Sequence, residues 1–166
     1  MPEYYSGSIL DNHQRAIEKA TDYVKTDLFY DGEFQQPANN DYFETTDPAV
    51  GEPITEVARG QKDDIDAAVQ AAKGAAEDWA DTVPAERQEI LGRLADRVRD
   101  NLDEFTLLES LDSGKPLDVA EGEIKRGIKY LEYYAGLSRS IEGKQLPYDS
   151  DALNSTVSSM LGPFGV

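Results

Sequence analysis

The residues able to do chemistry in this chain are few, and most stand in patterns that fall short of a site. Gly114-Lys115 has the outline of a phosphate-binding loop. That loop requires a glycine five residues before the second one and Ser or Thr after the lysine, whereas Glu109 and Pro116 occupy those places. Gly162-Pro163-Phe164-Gly165 lacks the third glycine and the helix of a dinucleotide fingerprint. His13, the one histidine, lies in a polar opening segment with no nucleophile beside it and is expected at the surface. Asp63-Asp64, and Glu121 with Glu123, are paired carboxylates, but helix capping and a solvated helix face suit their spacing better than acid–base work. Tyr130, Tyr133 and Tyr134 fall at i, i+3 and i+4, the spacing of one packed helix face. With no cysteine, the sequence holds no thiol nucleophile, disulfide or thiolate metal site. Residue chemistry alone identifies no active site.

The elements that would position these residues read clearly. Residues 8–24 form a short helix whose candidate apolar positions are Ile9, Ala16, Ile17, Ala20 and Val24; its links to the rest look weak, which makes it an extension. Residues 28–34 read as strand–turn–strand about Asp31-Gly32, the dipeptide of a tight hairpin. Two further strands, 42–46 and 54–58, flank a turn in which Pro48 sets φ and Gly51 permits a positive φ. Four helices follow. The first, 63–79, carries Ile65, Val69, Ala72, Ala76 and Trp79 at helical spacing, with acids in its first turn. Pro84 opens the second, with Ile90, Leu91, Leu94, Ala95 and Val98 on one face. Asn101 caps a short third helix with Leu102, Phe105, Leu108 and Leu111 inside, stopped by Gly114 and Pro116. The fourth runs over 117–141 and has Gly143 beyond its end. Residues 146–161 are β-like but polar. Phe164-Gly165-Val166 reads as the opening of a buried strand, which needs neighbours and a crossover helix, so the sequence is expected to be incomplete relative to its fold.

Composition narrows the partners. Sixteen Lys and Arg against 33 Asp and Glu leave a net charge of −17 among 166 residues. That balance argues against a nucleic-acid backbone or an anionic membrane as partner, since both need a basic footprint. The acids run from Glu3 to Asp151 and alternate with apolar residues at regular spacing, unlike a disordered acidic tail. A folded, salt-adapted (halophilic) acidic surface accounts for them: at 1 M salt the Debye length is about 3 Å, so self-repulsion is screened. No basic n-region or apolar core of a signal peptide follows Met1, and no apolar run approaches the ~20 residues of a membrane span. A cytoplasmic location is expected.

Three segments carry a family likeness. Asp47-Pro48-Ala49-Val50-Gly51-Glu52 is similar to an Asn-Pro-Ala-Thr-Gly-Glu stretch, and Asp64-Ile65-Asp66-Ala67-Ala68-Val69 to the helix after it. Pro84-Ala85-Glu86-Arg87 with Leu91, Leu94-Ala95-Asp96 resembles a Pro-x-x-Arg … Leu-x-x-Leu-Ala-Asp helix. Leu108-Glu109-Ser110-Leu111-Asp112-Ser113-Gly114-Lys115-Pro116 is close to a Glu-Thr-Leu-Asp-Thr-Gly-Lys-Pro signature, followed one helix later by Tyr133-Tyr134-Ala135-Gly136 and Glu142-Gly143-Lys144. In this order and spacing, from residue 29 to 147, the chain resembles the N-terminal part of the NAD(P)-dependent aldehyde dehydrogenase superfamily.

The resemblance implies an α/β fold: a Rossmann-type coenzyme domain of which the helix-rich N-terminal portion and the first oligomerisation strands are present. It divides the chain into a helical extension (1–24), the N-terminal portion of the coenzyme domain (25–145), a β arm of the oligomerisation sheet (146–161) and the start of the first coenzyme-domain strand (162–166). It implies NAD or NADP as cofactor, a small aldehyde as substrate, a homo-oligomer, and oxidation to a carboxylic acid through a cysteine thiohemiacetal. The cysteine, the glutamate base, the asparagine oxyanion donor and the cofactor loop belong to segments beyond Val166, so the chain alone is expected to be inactive. Some members hold a monovalent cation with backbone oxygens and a carboxylate, and the matching positions are Thr45, Thr46 and Asp112. Residues 154–162 depart from the family, being small and polar where it has aromatic and basic residues. The alternative is a non-catalytic remnant acting as an interaction or structural module.

Overall fold

The computed structural model describes residues 8–146, 154–156, 158 and 162. In chain order they form α1 (Ile9–Thr21), β1 (Leu28–Tyr30), β2 (Glu33–Gln35), β3 (Tyr42–Thr46), β4 (Pro53–Ala58), α2 (Lys62–Asp81), α3 (Pro84–Asp100), α4 (Leu102–Ser113), α5 (Leu117–Leu137), β5 (Gln145–Leu146) and β6 (Asn154–Ser155). The fold is mixed and helix-rich, as expected for the opening part of the larger α/β domain. Among the described residues all three strand pairs are antiparallel: β1 with β2, β3 with β4, and β5 with β6.

Local chemistry explains most of the boundaries. Ser8 caps α1 and shares a capping box with Asp11. Asp31 and Gly32 both take positive φ (54° and 78°), which matches the twist of a two-residue hairpin, and Phe29 faces Phe34 across it. Pro84 occupies the first turn of α3, and Gly114 ends α4 in the left-handed region.

The core has two parts. Ala16 and Ala20 of α1 pack with Ile54 of β4 and Leu107 and Leu111 of α4. Ala95 of α3 is buried, as are Ala120, Ile128 and Ala135 of α5, where α5 lies along α3 and α4.

Five expectations need correction. The opening helix is no loosely linked extension: Ala20 is fully buried and Ala16 nearly so, because small residues let the helix sit close against α4, although Ile9 at its start is exposed. Asn101 stands at the start of α4, but its side-chain amide donates to the Arg97 carbonyl at 2.7 Å and closes α3 instead. The last long helix ends at Leu137, and Gly143 serves a different purpose: a Cβ there would lie 2.3 Å from the Thr156 carbonyl oxygen. Tyr130, Tyr133 and Tyr134 are exposed, with Tyr133 and Tyr134 in edge-to-face contact at 5.3 Å, so this face is not packed among the described residues. Finally, Ile65, Val69, Trp79 and Leu94 of the expected apolar stripes are exposed too. Of the β-like stretch over 146–161, only Leu146, 154–156 and 158 fall within the described residues; Phe164-Gly165-Val166 lies outside them.

Candidate functional site

Of the residues singled out for a cation, Thr45 and Asp112 meet where β3 ends beside the last turn of α4, and Thr46 is the next residue of the strand. Thr45 donates its hydroxyl to Asp112 Oδ1 at 2.9 Å, a contact between residues 67 apart in sequence. The β3–β4 register shifts between Thr45 and Thr46, and Thr46 then faces Pro53. Proline has no N–H, so the Thr46 carbonyl receives no ladder donor from the residue opposite. Pairing resumes one step on, with the Asp47 N–H donating to the Glu52 carbonyl at 2.9 Å. The contact joins two oxygens, a hydroxyl and a carboxylate, at an irregular strand end. That donor set suits a hard cation rather than a soft one. Among the described residues there is no group of three His, Cys, Asp or Glu placed to hold a metal.

Asp47, at the turn after this strand, is the largest fully buried side chain among the described residues. Its Oδ1 accepts the Ala49 N–H at 2.8 Å, and its own carbonyl accepts the Gly51 N–H at 2.8 Å. These bonds make a compact turn that Gly51 completes at φ 75°. The second carboxylate oxygen lies 2.5 Å from Nδ1 of His13 on α1. His13 is therefore no plain surface residue: its side chain is 29% exposed and tied to a buried carboxylate. Composition gave no signal for this pairing. The turn at Pro48 and Gly51 was legible, but the Asp47 side chain's part in it and the docking of α1 over it were not.

Asp64, Lys115 and the glutamates near it are held in structural roles. Asp64 is buried; it accepts the Ala38 N–H at 2.9 Å and the Gln61 N–H at 2.8 Å, so it caps α2 and fastens the preceding loop, as its position suggested. Lys115 reaches Glu109 Oε1 at 2.5 Å and Glu123 Oε2 at 2.7 Å, which engages its ammonium with the protein's own acids and not with a phosphate. Hydrogen bonds to Glu109 and then Glu123 push the Lys115 ammonium up to about 12, and the bond from Lys115 holds Glu123 below its ordinary range. Glu121 pairs with Lys125 one turn on, a solvated helix-face contact. Among the described residues these contacts hold elements of the fold to one another.

Comparison with known proteins supplies what the site does not. Residues 34–166 match the model of the aldehyde dehydrogenase family. The chain is 36% identical over 140 residues to fluoroacetaldehyde dehydrogenase of Streptantibioticus cattleyicolor, covering 84% of this chain and 28% of that protein. It is 37% identical over 135 residues to acetaldehyde dehydrogenase 2 of Cupriavidus necator, covering 81% and 27%. Among solved structures, PnpE in complex with nicotinamide adenine dinucleotide superposes with a TM-score of 0.76 at 33% identity, covering 80% of this chain and 27% of that one. The chain thus spans under a third of the length of the proteins it matches, and no helix among the described residues is long and apolar enough to cross a membrane. The order of motifs from residue 29 to 147, the family match over 34–166 and the shared fold coincide on one stretch of sequence, and the chain belongs to the aldehyde dehydrogenase family.

Proposed function

We propose that this chain is the N-terminal portion of an enzyme that oxidises an aldehyde to a carboxylic acid with NAD or NADP through a cysteine thiohemiacetal. The observation that carries the reading is the family match over residues 34–166, reinforced by likeness to two curated acetaldehyde-type dehydrogenases and to a structure that holds NAD. In this reading the nicotinamide cofactor accepts the hydride, and residues 25–145 form the N-terminal portion of the domain that binds it. The opening helix precedes the family match and is added to that domain. Residues 146–161 extend as an arm toward another subunit of a homo-oligomer, and 162–166 begin a coenzyme-domain strand. The polypeptide of this sequence has no cysteine, so by itself it forms no thiohemiacetal.

The test is to read the coding frame past Val166 and to assay the product of the whole frame. A downstream cysteine after a cofactor loop, with aldehyde-dependent reduction of NAD or NADP, is the expected result. A stop codon directly after Val166 would favour the non-catalytic module instead. The 166-residue polypeptide should give no reduced nicotinamide above a blank.

Two finer readings accompany this one. Thr45, Thr46 and Asp112 hold a monovalent cation, a role supported by the Thr45–Asp112 contact beside the β3 register shift. The acidic surface serves a salt-rich cytoplasm, supported by the net charge of −17, whose self-repulsion salt relieves. Thermal unfolding followed by circular dichroism should shift to higher temperature from millimolar to molar potassium chloride. An unchanged midpoint would reject salt adaptation.

A further inference from the structure

We propose that His13 and Asp47 form a carboxylate–imidazole dyad at the head of a small-molecule site, and that this site takes a small, neutral phenol. Hydrogen-bond accounting fixes the state of the ring. Asp47 is fully buried, and its Oδ1 accepts the Ala49 N–H. A carboxylate can only accept, so the 2.5 Å contact to its other oxygen places a proton on Nδ1 of His13. The neutral ring then carries its lone pair on Nε2, which has no partner among the described residues. A carboxylate behind an imidazole holds this tautomer and makes the far nitrogen a stronger acceptor.

His13 also lines a cleft of about 320 Å³ beside the cluster in which Ala16 packs with Leu107 and Leu111. That volume is at the small end for ligand sites, and alanine, leucine and proline side chains make most of the wall. The other polar side chains there are engaged within the protein. Asn12 Oδ1 accepts from Arg15, Ser110 donates to the Lys115 carbonyl at 2.7 Å, and Glu109 and Glu123 hold the Lys115 ammonium. Nε2 is the acceptor left to meet a ligand. An apolar wall with one strong acceptor fits an apolar body with one strong donor, and a phenol supplies both. An anion fits poorly, because the Asp47 carboxylate lies behind the imidazole and two glutamates outnumber Lys115. The cleft shares no residue with the Thr45–Asp112 contact.

Because the sequence holds one histidine, the ring can be observed directly. In the untagged full chain, in mildly alkaline buffer, nitrogen NMR of the imidazole should show its proton on Nδ1, and para-fluorophenol should shift Nε2. Para-fluoroanisole keeps the ring but lacks the donor. By fluorine NMR it should bind about fivefold more weakly or worse, the scale of one net hydrogen bond, and para-fluorobenzoate should not bind. In His13→Phe the preference for the phenol over the anisole should vanish. Ala49→Leu keeps the backbone N–H that Asp47 accepts and fills the cleft from an exposed position, so it should abolish binding. No binding of the phenol, a neutral ring with its proton on Nε2, or equal affinity for phenol and anisole would overturn the site. So would a preference that survives His13→Phe, or phenol binding undiminished in Ala49→Leu. Should His13→Phe fail to fold, the parent and Ala49→Leu decide alone.

Discussion

Helices α2 and α5 are nearly the same length, 20 and 21 residues, and both carry an apolar stripe, yet they end in opposite situations. α5 lies along α3 and α4 and buries Ala120, Ile128 and Ala135. In α2 the one buried side chain is Asp64 at the cap, and Ile65, Val69 and Trp79 stand exposed. Periodicity announces that a helix has a face to bury; it does not say that the partner lies in the same stretch of chain. The two helices thus separate a region that closes on itself from one whose apolar face has no cover among the described residues.

The largest expected effect tests that separation directly. Ile128→Ala removes a buried side chain from the closed region and should cost about 2–5 kcal/mol of stability by urea unfolding. Ile65→Ala, at a position 58% exposed, should change stability by about 0.5 kcal/mol or less. Equal losses would break the comparison, because they would mean that the α2 face is covered in solution. A cost at Ile65 that grows with protein concentration would identify the cover as a second copy.

The same contrast shows what could be read from sequence. The hairpin at Asp31-Gly32, β3 at 42–46, the Pro84 start and the Gly114 stop follow from residues whose backbone preferences act within a few positions. Gly143 was misassigned because a glycine after an apolar helix signals a helix end, whereas the close approach of the Thr156 carbonyl depends on a contact 13 residues away. At the candidate site, Thr45 and Asp112 were singled out by likeness to a family, and no spacing rule could have joined residues so far apart. His13 and Asp47 escaped for a related reason. Their tie depends on α1 docking through alanines, and alanine carries too weak an apolar signal to forecast a packed face.

Glycine substitutions sharpen the comparison at intermediate size and with opposite signs. Gly114 sits at φ 71°, and a Cβ there would stand 2.9 Å from Cγ of Pro48. Gly114→Ala should destabilise by about 1–3 kcal/mol through backbone strain, with crowding of the Pro48 ring added to it. Gly74, in the interior of α2, has nothing within 4 Å of the position its Cβ would take. Gly74→Ala should therefore stabilise, by about 0.5–1 kcal/mol, through helix propensity alone. Chemical unfolding of the two variants side by side checks both signs. A destabilised Gly74→Ala would show that another surface lies close against α2.

The smallest effect concerns two lysine bridges, one in each region. Lys115 links the end of α4 to the start of α5 through Glu109 and Glu123, with side chains 37–40% exposed. Lys62 pairs with Asp66 on the surface of α2, where the two side chains are 84% and 62% exposed. Solvent screens the second pair more strongly, so Lys62→Met should leave the unfolding midpoint unchanged while Lys115→Met lowers it by about 1–3 °C. The pH dependence follows from the direction of each shift. The Lys115 ammonium is raised from 10.5 to about 12, so its contribution is complete below 10.5 and is lost as pH rises through about 12. The Glu123 carboxyl is lowered from 4.5, so its contribution is complete above 4.5 and is lost as pH falls through the depressed value. The difference in midpoint between the parent and Lys115→Met should therefore hold steady between pH 4.5 and 10.5 and shrink on both sides. Molar salt should shrink it further, since these side chains are partly open to ions. A difference that grows at acid pH would mean that Lys115 acts through something other than its two glutamates.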